Sequence, residues 1–227
     1  YDPSACFDDG SCNYTTYVPD DAFENFLEYY GMGNGIINDD YVTTANINTV
    51  TNLNIGGEFG IGAADLTGIE DFTDLIELDC ENNYQITTLD LSQNTALTTL
   101  RAKYTSLTNI DLSNNTALEH LELGPIPFPY IDLSNNTALR YLDLSGTQYN
   151  QAGTMTSLDL SNNPALEFIK VVHFPLDWAD LRNGNNSNIT FMQINILSGQ
   201  NNCVHTDNLP PVFAPGVIIF GSYYFCL

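Results

Sequence analysis

A nine-residue block recurs four times in the middle of the chain, and this repeat constrains the fold more than any other feature. Each block reads apolar–Asp–Leu–Ser–Asn/Gln–Asn–Thr/Pro–Ala–Leu, and the four blocks begin at residues 89, 110, 131 and 158. The starts are 21, 21 and 27 residues apart. Such a period predicts a solenoid, because one short unit cannot bury its own apolar side chains and must stack on its neighbours.

A second apolar pattern, Leu-x-x-Leu-x-Leu, follows each block. Its matches are Leu97/Leu100/Ala102, Leu118/Leu121/Leu123, Leu139/Leu142/Leu144 and Leu166/Ile169/Val171. Leu75/Leu78/Cys80 and Leu53/Ile55 extend it backwards, and Phe191/Ile194/Ile196 extend it forwards. Alternation of period two predicts short strands with one buried face. The combination predicts an α/β repeat solenoid, a leucine-rich repeat of about seven turns with a parallel β-sheet on its concave face.

The ends of the chain differ from the repeats. Residues 20–31 combine acidic residues at the start, helix-spaced apolar residues and a final glycine, which predicts a helical N-terminal cap. The predicted organisation is a cysteine-containing linker end (1–17), an N-terminal cap (18–50), leucine-rich repeats (51–197) and a disulfide-bearing C-terminal cap (198–227). Four terminal cysteines without a CxxC pair favour two disulfides and an oxidising compartment over a metal site; these are Cys6, Cys12, Cys203 and Cys226. Cys80, inside the apolar pattern, is predicted to be a buried small hydrophobe.

The repeats resemble those of secreted Bacteroidetes surface proteins and, more distantly, internalin-like solenoids. Residues 18–78 resemble the entry of that group and residues 183–226 its closing cap with a cysteine pair. The DDGSC segment at residues 8–12 resembles a short motif of Bacteroidetes extracellular proteins, which implies a small Cys6–Cys12 loop at the end of a linker. The group often has Asn in the turn after the strand, as at Asn83, whereas later turns carry Thr105, Ile126, Thr147 and Phe174. Those later turns must satisfy their backbone groups differently.

Residues that alternate with the inward leucines point out from the concave sheet. Three of the five basic residues of the chain fall there, together with aromatic residues, which is typical of binding surfaces. The predicted ligand-binding residues are Arg101, Lys103, His120, Tyr141, Phe168 and Lys170. Under the alternative interpretation, Arg101 and Lys103 only neutralise neighbouring acids, namely Asp79, Glu81, Glu122 and Asp143, across adjacent strands.

The charge of the chain limits its partners. Five Lys+Arg against 28 Asp+Glu give a net charge of −23, which disfavours nucleic acid and anionic membranes. No apolar run is long enough for membrane insertion. The recurring acids Asp90, Asp111, Asp132 and Asp159 are expected to be solvated rather than calcium-bound. Asp8 and Asp9 form a weak calcium candidate whose alternative is a plain turn; no other cofactor is expected.

The recurring asparagines Asn94, Asn115, Asn136 and Asn163 are expected to hydrogen-bond successive turns. The three histidines lack a spaced acid and nucleophile, so the chain is not predicted to be an enzyme. We expect an extracellular recognition or adhesion module, secreted or on the cell surface, that binds a protein or polysaccharide and adjoins neighbouring modules of its polypeptide. The alternative is a structural spacer in a long adhesin or fibre, or a calcium-dependent surface domain.

Overall fold

The N-terminal part of the protein precedes the repeats and contains both of its described α-helices. The computed structural model describes residues 14–124, 127, 129–145, 154–196, 203–207, 218–220 and 224–226. Strand β1 (Thr15–Tyr17) is followed by helix α1 (Asp21–Tyr29), strand β2 (Tyr41–Thr43) and helix α2 (Thr44–Ile47). β1 and β2 pair in antiparallel orientation. In the described part of the chain, neither helix is long and apolar enough to cross a membrane.

Helix α1 forms within the segment that the sequence predicts to be helical. Oδ1 of Asp20 accepts a hydrogen bond from the backbone N–H of Phe23, which satisfies one of the free donors of the first turn. The other oxygen of Asp20 accepts hydrogen bonds from the N–H groups of Ala64 and Asp65. Phe23 and Leu27 are fully buried and belong to the same apolar core as the repeats. The ring of Phe23 stacks on Phe72 with centroids 6.3 Å apart.

Eight parallel strands then form one sheet, which we call the long sheet. In chain order, its first five strands are β3 (Asn52–Asn54), β4 (Glu77–Asp79), β5 (Thr99–Lys103), β6 (His120–Gly124) and β7 (Tyr141–Asp143). β9 (Phe168–Leu176), β11 (Phe191–Ile196) and β13 (Ile218–Phe220) complete it. Each strand pairs with the strand of the next turn, as a parallel β-solenoid requires. Six turns separate β3 from β11, so the predicted repeats form about six turns instead of the predicted seven. β13 adds one further strand beyond the predicted repeats.

The side chains that alternate inward from the long sheet form the core. The predicted apolar triads from Leu75/Leu78/Cys80 to Leu166/Ile169/Val171 are all buried, as are Leu53 and Ile55. In the last triad the prediction was confirmed for Ile194 and wrong for Phe191, and the side chain of Ile196 lies outside those that the structure describes. Ile189, Met192 and Ile194 occupy the core, whereas Phe191 points outward, because Met192 pairs with the inward Ile169 of the preceding turn.

A second, four-stranded parallel sheet covers the other side of the later turns; we call it the short sheet. It contains β8 (Ser157–Asp159), β10 (Trp178–Leu181), β12 (Cys203–Thr206) and β14 (Tyr224–Cys226). β12, β13 and β14 lie in the segment predicted to be the C-terminal cap, and they continue the two sheets of the solenoid.

A ladder of buried asparagines joins the turns, as predicted. The side-chain amide of each donates to two backbone carbonyls of the preceding turn; Nδ2 of Asn136, for example, lies 3.1 Å from the oxygen of Leu112 and 2.9 Å from that of Asn115. Asn94, Asn115 and Asn163 repeat this arrangement. Asn183, which the sequence did not identify, donates to the oxygen of Asn163.

The turns after the strands differ where the sequence departs from asparagine. Oδ1 of buried Asn83 accepts from the N–H groups of residues 61–63, and Nδ2 donates to the oxygen of Cys80. One turn later, the hydroxyl of Thr105 donates to the oxygen of Ala102 at 2.9 Å. Threonine therefore replaces only the donor half of the asparagine. Phe174 is buried instead, within β9.

Candidate functional site

The six predicted binding residues all lie on the outer face of the long sheet. Arg101 and Lys103 are on β5, His120 on β6, Tyr141 on β7, and Phe168 and Lys170 on β9. All six side chains are half-buried. They alternate with the inward leucines, so the pleat of the parallel strands brings them to one surface. They form two rows across the sheet, one aromatic and one charged.

The aromatic row is a continuous stack of four rings, which we call the aromatic ladder: His120, Tyr141, Phe168 and Phe191. Successive ring centroids are 4.1, 4.2 and 4.3 Å apart, and the ring planes differ by 4°, 6° and 7°. The register of the strands explains this stack, since each ring stands directly beside the ring of the next turn. The ring faces cover one another, so the ladder presents ring edges, whose hydrogens carry partial positive charge.

Phe191 was missing from the predicted binding surface. The sequence assigned it to the core because Phe191, Ile194 and Ile196 match the apolar pattern. Alignment of the residue directly before the first inward position of each strand would have found it, because that position holds His120, Tyr141 and Phe168 in the preceding turns.

The charged row contains the three basic residues, and all three form ion pairs. Arg101 Nε lies 3.5 Å from Glu122 Oε1, and Lys103 Nζ lies 3.0 Å from Glu122 Oε2. Lys103 Nζ also lies 2.8 Å from Asp143 Oδ2, and Lys170 Nζ lies 3.5 Å from the same oxygen. Glu122 and Asp143 therefore pair with all three cations. For Arg101 and Lys103, two of the four acids named in the alternative interpretation are the partners.

These contacts change the ionisation of the charged row. The hydrogen bond from His120 Nε2, 2.7 Å from Glu122 Oε1, and then the contact with Lys103 lower the pKa of Glu122 to about 2. Burial of Lys103 opposes its charge, but hydrogen bonds to Asp143 and Glu122 outweigh burial and raise its pKa. Burial, followed by repulsion from Asp79 and Glu122, raises the pKa of Glu81. At neutral pH, the network holds Glu122 as an anion and Lys103 as a cation.

A shallow groove of about 300 Å³ runs beside the aromatic ladder. It is lined by Glu119, His120, Arg140, Tyr141, Glu167, Phe168 and Thr190. On its rim, Arg140 Nη2 lies 2.5 Å from Glu167 Oε1, and both side chains are exposed. The groove gives a partner access to one side of the rings and to an ion pair that is open to water.

Several predicted sites lie outside the residues or side chains that the structure describes. Asp8, Asp9, Cys6 and Cys12 fall before residue 14. For Cys203 and Cys226 only the backbone is described, on the neighbouring strands β12 and β14, where Cys203 pairs with Tyr224 and Cys226 pairs with His205. The metal and disulfide assignments therefore remain predictions.

Cys80 and the recurring acids have structural roles. Cys80 is a free, fully buried thiol, and burial followed by repulsion from Asp79 and Glu81 raises its pKa, so it is unsuited to act as a nucleophile. Oδ1 of each recurring acid accepts the N–H of the serine two residues later at 2.9 Å; these acids are Asp90, Asp111, Asp132 and Asp159. Hydrogen bonds from the serine hydroxyl and then from the serine N–H lower the pKa of Asp111 and Asp132, and the same two bonds in the opposite order of size lower that of Asp90. The acid column therefore holds the turns.

No model of a known protein family and no curated protein matches the chain. Solved structures of internalins from Listeria monocytogenes do. The functional domain of InlJ, which includes a cysteine ladder, is 20% identical with a TM-score of 0.50, over 94% of this chain and 62% of that one. InlF is 23% identical with a TM-score of 0.62, over 89% and 58%. Internalin C2 is 19% identical with a TM-score of 0.52, over 93% and 100%.

The chain thus spans less than two thirds of the InlJ and InlF structures that it matches. At these identities the likeness establishes the fold, an internalin-like leucine-rich-repeat solenoid, in agreement with the prediction from the repeats.

Proposed function

We propose that the chain is a non-enzymatic, extracellular recognition module that binds a protein through the outer face of its long sheet. The observation that carries this proposal is the aromatic ladder, four stacked rings at the centre of a half-exposed surface. Aromatic residues dominate the energetics of protein interfaces because they bury a large area with few rotatable bonds. The likeness to solved internalin structures supports a solenoid scaffold beneath this surface.

The geometry favours rings over cations as the main contact. The side chain of Lys103 is only 13% exposed, and its two acidic partners hold it. Arg101 and Lys170 are 35% and 34% exposed, each with a single longer ion pair, so they remain accessible at the border of a contact. We therefore assign Lys103 to the scaffold, and Arg101 and Lys170 to the periphery of the binding surface.

Charge favours a protein over an acidic glycan. Around the three cations, the same face carries five acids: Glu77, Asp79, Glu81, Glu122 and Asp143. A polyanion would have to displace Glu122 and Asp143 from their cations and approach the remaining acids. A protein offers carbonyl oxygens to the ring edges and apolar side chains to the groove.

A binding screen tests this proposal. The immobilised domain is exposed to a panel of purified extracellular proteins and to an array of acidic and neutral glycans. We expect a protein partner whose affinity falls at least about tenfold in the variant Tyr141→Ser/Phe168→Ser. Tyr84→Ser, at an exposed tyrosine away from the ladder, is the matched control. A partner whose affinity is unchanged in the ladder variant would place the binding surface elsewhere, and an acidic glycan as the sole ladder-dependent partner would contradict a protein ligand.

A structural spacer is the second candidate function. The observation in its favour is the uninterrupted pairing of turns by parallel strands and buried asparagines, which suits a rod that joins neighbouring modules. In this proposal α1 caps the first turn and the terminal cysteines brace the ends. Absence of any ladder-dependent partner, with many copies of the unit in the full-length gene, would favour the spacer. Calcium stabilisation is part of the same proposal, and an unchanged melting temperature after chelation would exclude it.

A further inference from the structure

On the side of the solenoid that carries the short sheet, two exposed aromatic residues flank a serine on three consecutive turns. Trp178 on β10 pairs directly with Ser157 on β8. One turn earlier, the repeat places Tyr130 at the position of Ser157, because each precedes an apolar–Asp–Leu–Ser segment. The row therefore reads tyrosine, serine, tryptophan over three consecutive turns. Tyr130 is 69% exposed and Trp178 is 37% exposed.

The small serine leaves a slot between the two rings. Tyr130, Ser157 and Trp178 line one cavity of about 250 Å³. In the aromatic ladder of the long sheet, rings one turn apart have centroids 4.1 and 4.2 Å apart, which is the spacing of stacked rings. A row that has a ring in the first and third of three turns and a serine in the second therefore lacks one ring of such a stack, which leaves room for one planar group.

Acids complete the slot. Exposed Asp132 and Asp159 line the cavity together with Ser134, Ser157 and Asn162. Hydrogen bonds from Ser134 lower the pKa of Asp132, so this carboxylate is charged at neutral pH. Among the described residues that line the cavity there is no Lys or Arg. Arg182 interacts with Asp159 but is itself paired with Asp180. The potential in the slot is therefore negative, on a chain whose net charge is −23.

We propose that this slot binds the guanidinium group of an arginine side chain of a partner protein. The guanidinium is planar, stacks on aromatic faces and forms paired hydrogen bonds with carboxylates. Tyr130 and Trp178 supply the two faces, and Asp132 and Asp159 supply the acceptors. This inference concerns a different surface from the aromatic ladder and does not depend on the proposed function.

Trp178 is the only tryptophan of the chain, so its fluorescence reports directly on the slot. The probe is a blocked pentapeptide with one arginine between glycines, titrated into the 227-residue chain. The same peptide with citrulline, which keeps the shape and loses the charge, is the matched ligand control. We expect a saturable change with the arginine peptide and binding at least about tenfold weaker with the citrulline peptide.

Two variants test the two parts of the slot. Tyr130→Ala removes one wall, and Asp132→Asn/Asp159→Asn removes the charge while keeping the shape; each should weaken arginine binding at least about tenfold. Ser157→Tyr should abolish binding by filling the slot, and Tyr130→Ala, at an exposed site, decides the question if the Ser157 variant does not fold. Tyr84→Ala should bind as the unchanged chain does.

Three results would overturn the proposal. One is the absence of a saturable response to the arginine peptide. Another is equal binding of the arginine and citrulline peptides. The third is a response to a neutral trisaccharide such as maltotriose with none to arginine, which would make the slot a sugar site.

Discussion

Nζ of Lys103 lies 2.8 Å from Oδ2 of Asp143, although β6 runs between the strands that carry these two residues. Gly124 stands directly beside Lys103 on β6 and has no side chain to block the crossing. Its φ of +130° and the backbone oxygens of Leu144 and Ser145, 3.0 Å from where a Cβ would stand, also favour glycine here. The glycine therefore allows one lysine to bridge three turns.

Replacement of Lys103 with Met should destabilise the protein by about 2–4 kcal/mol. The side chain of Asp143 is only 4% exposed, and it would lose its closest cation, while Glu122 would lose one of two. Removal of one partner leaves a buried charge uncompensated, which costs more than the pair itself contributes. Urea unfolding of the intact chain measures this difference.

Arg140→Met provides the control for Lys103. Arg140 also pairs with an acid on the neighbouring turn, but both side chains of the Arg140–Glu167 pair are exposed. Exposed pairs contribute about 0–1 kcal/mol, so this variant should unfold at nearly the urea concentration of the unchanged chain. Equal losses of unfolding free energy in the two variants would mean that the Lys103–Asp143 ion pair across Gly124 stabilises the protein no more than an exposed pair does.

Acidification should remove a stabilising contribution of Glu122. Its pKa is lowered from 4.5 to about 2 in the folded protein, so the folded state binds this proton less readily than the unfolded chain. The contribution is fully present above pH 4.5 and is lost as the pH falls through about 2. It amounts to about 3 kcal/mol at most. Unfolding free energies of the unchanged chain and Glu122→Gln, from about pH 6 to about pH 2, should converge at the acidic end.

Protonation of Glu81 has the opposite effect on the free energy of unfolding. Its pKa is raised, so protonation of Glu81 on acidification stabilises the folded state and offsets part of the loss from Glu122. The comparison with Glu122→Gln measures the Glu122 contribution together with its coupling to Glu81, because repulsion from Glu122 is one of the causes that raise the pKa of Glu81. A constant difference between the two proteins across the pH range would refute the role of Glu122.

Asn136→Ala should cost about 2–4 kcal/mol, whereas Asn135→Ala should change stability by less than about 0.5 kcal/mol. The amide of buried Asn136 donates to the oxygens of Leu112 and Asn115, which would be left without this donor. Asn135 is its exposed neighbour in the same turn. Thermal unfolding of the two variants measures the difference. Similar melting temperatures would mean that the buried asparagines do not stabilise the stacking of the turns.

The periodicity of the sequence predicted the positions of β3 to β7 and of β9 in the long sheet, but it placed the apolar triad of the last turn two residues too late. Phe191-x-x-Ile194-x-Ile196 and Ile189-x-x-Met192-x-Ile194 match the apolar pattern equally well. A shift of two residues keeps the same face of a strand, but it changes which residues cover the core at each end. Only the pairing of Met192 with Ile169 selects the second alternative.

The sequence did not predict the short sheet, for a related reason. The segment 157–159 belongs to the same repeat as 89–91, 110–112 and 131–133, yet only 157–159 forms a strand among these four. It does so because Trp178–Leu181 of the next turn is extended and pairs with it. A strand depends on its neighbour, which a single repeat does not reveal.

The candidate site was also predicted only in part. Side-chain alternation placed Arg101, Lys103 and Lys170 on one face correctly. The partners of these cations depend on how long side chains cross between strands, and Gly124 decides this for Lys103. The sequence therefore identified the surface, whereas the structure distinguished its charged network from its aromatic ladder.

Cys80 should resist iodoacetamide in the native protein and react fully in denaturant. It is completely buried, and burial raises the pKa of its thiol, so little reactive thiolate is available. Mass-spectrometric peptide mapping assigns the labelled cysteines individually. In denaturant without reductant, Cys6, Cys12, Cys203 and Cys226 should remain unlabelled if they form the two predicted disulfides; labelling of all four would show that prediction to be wrong.

Phe23→Ala should destabilise the protein by about 3–5 kcal/mol and loosen its N-terminal turns first. Phe23 is fully buried against Phe72, so truncation opens a cavity between α1 and the first repeats. Tyr29→Ala, at an exposed position of the same helix, is the matched control.

Solenoid stability is largely a sum of neighbouring contacts, so loss of a cap affects the nearest turn most. Hydrogen exchange should therefore accelerate at the N–H of Ile55, which donates to Asp79, before it does at Leu144, which donates to Lys170. Equal acceleration at both amides would contradict a capping role for α1.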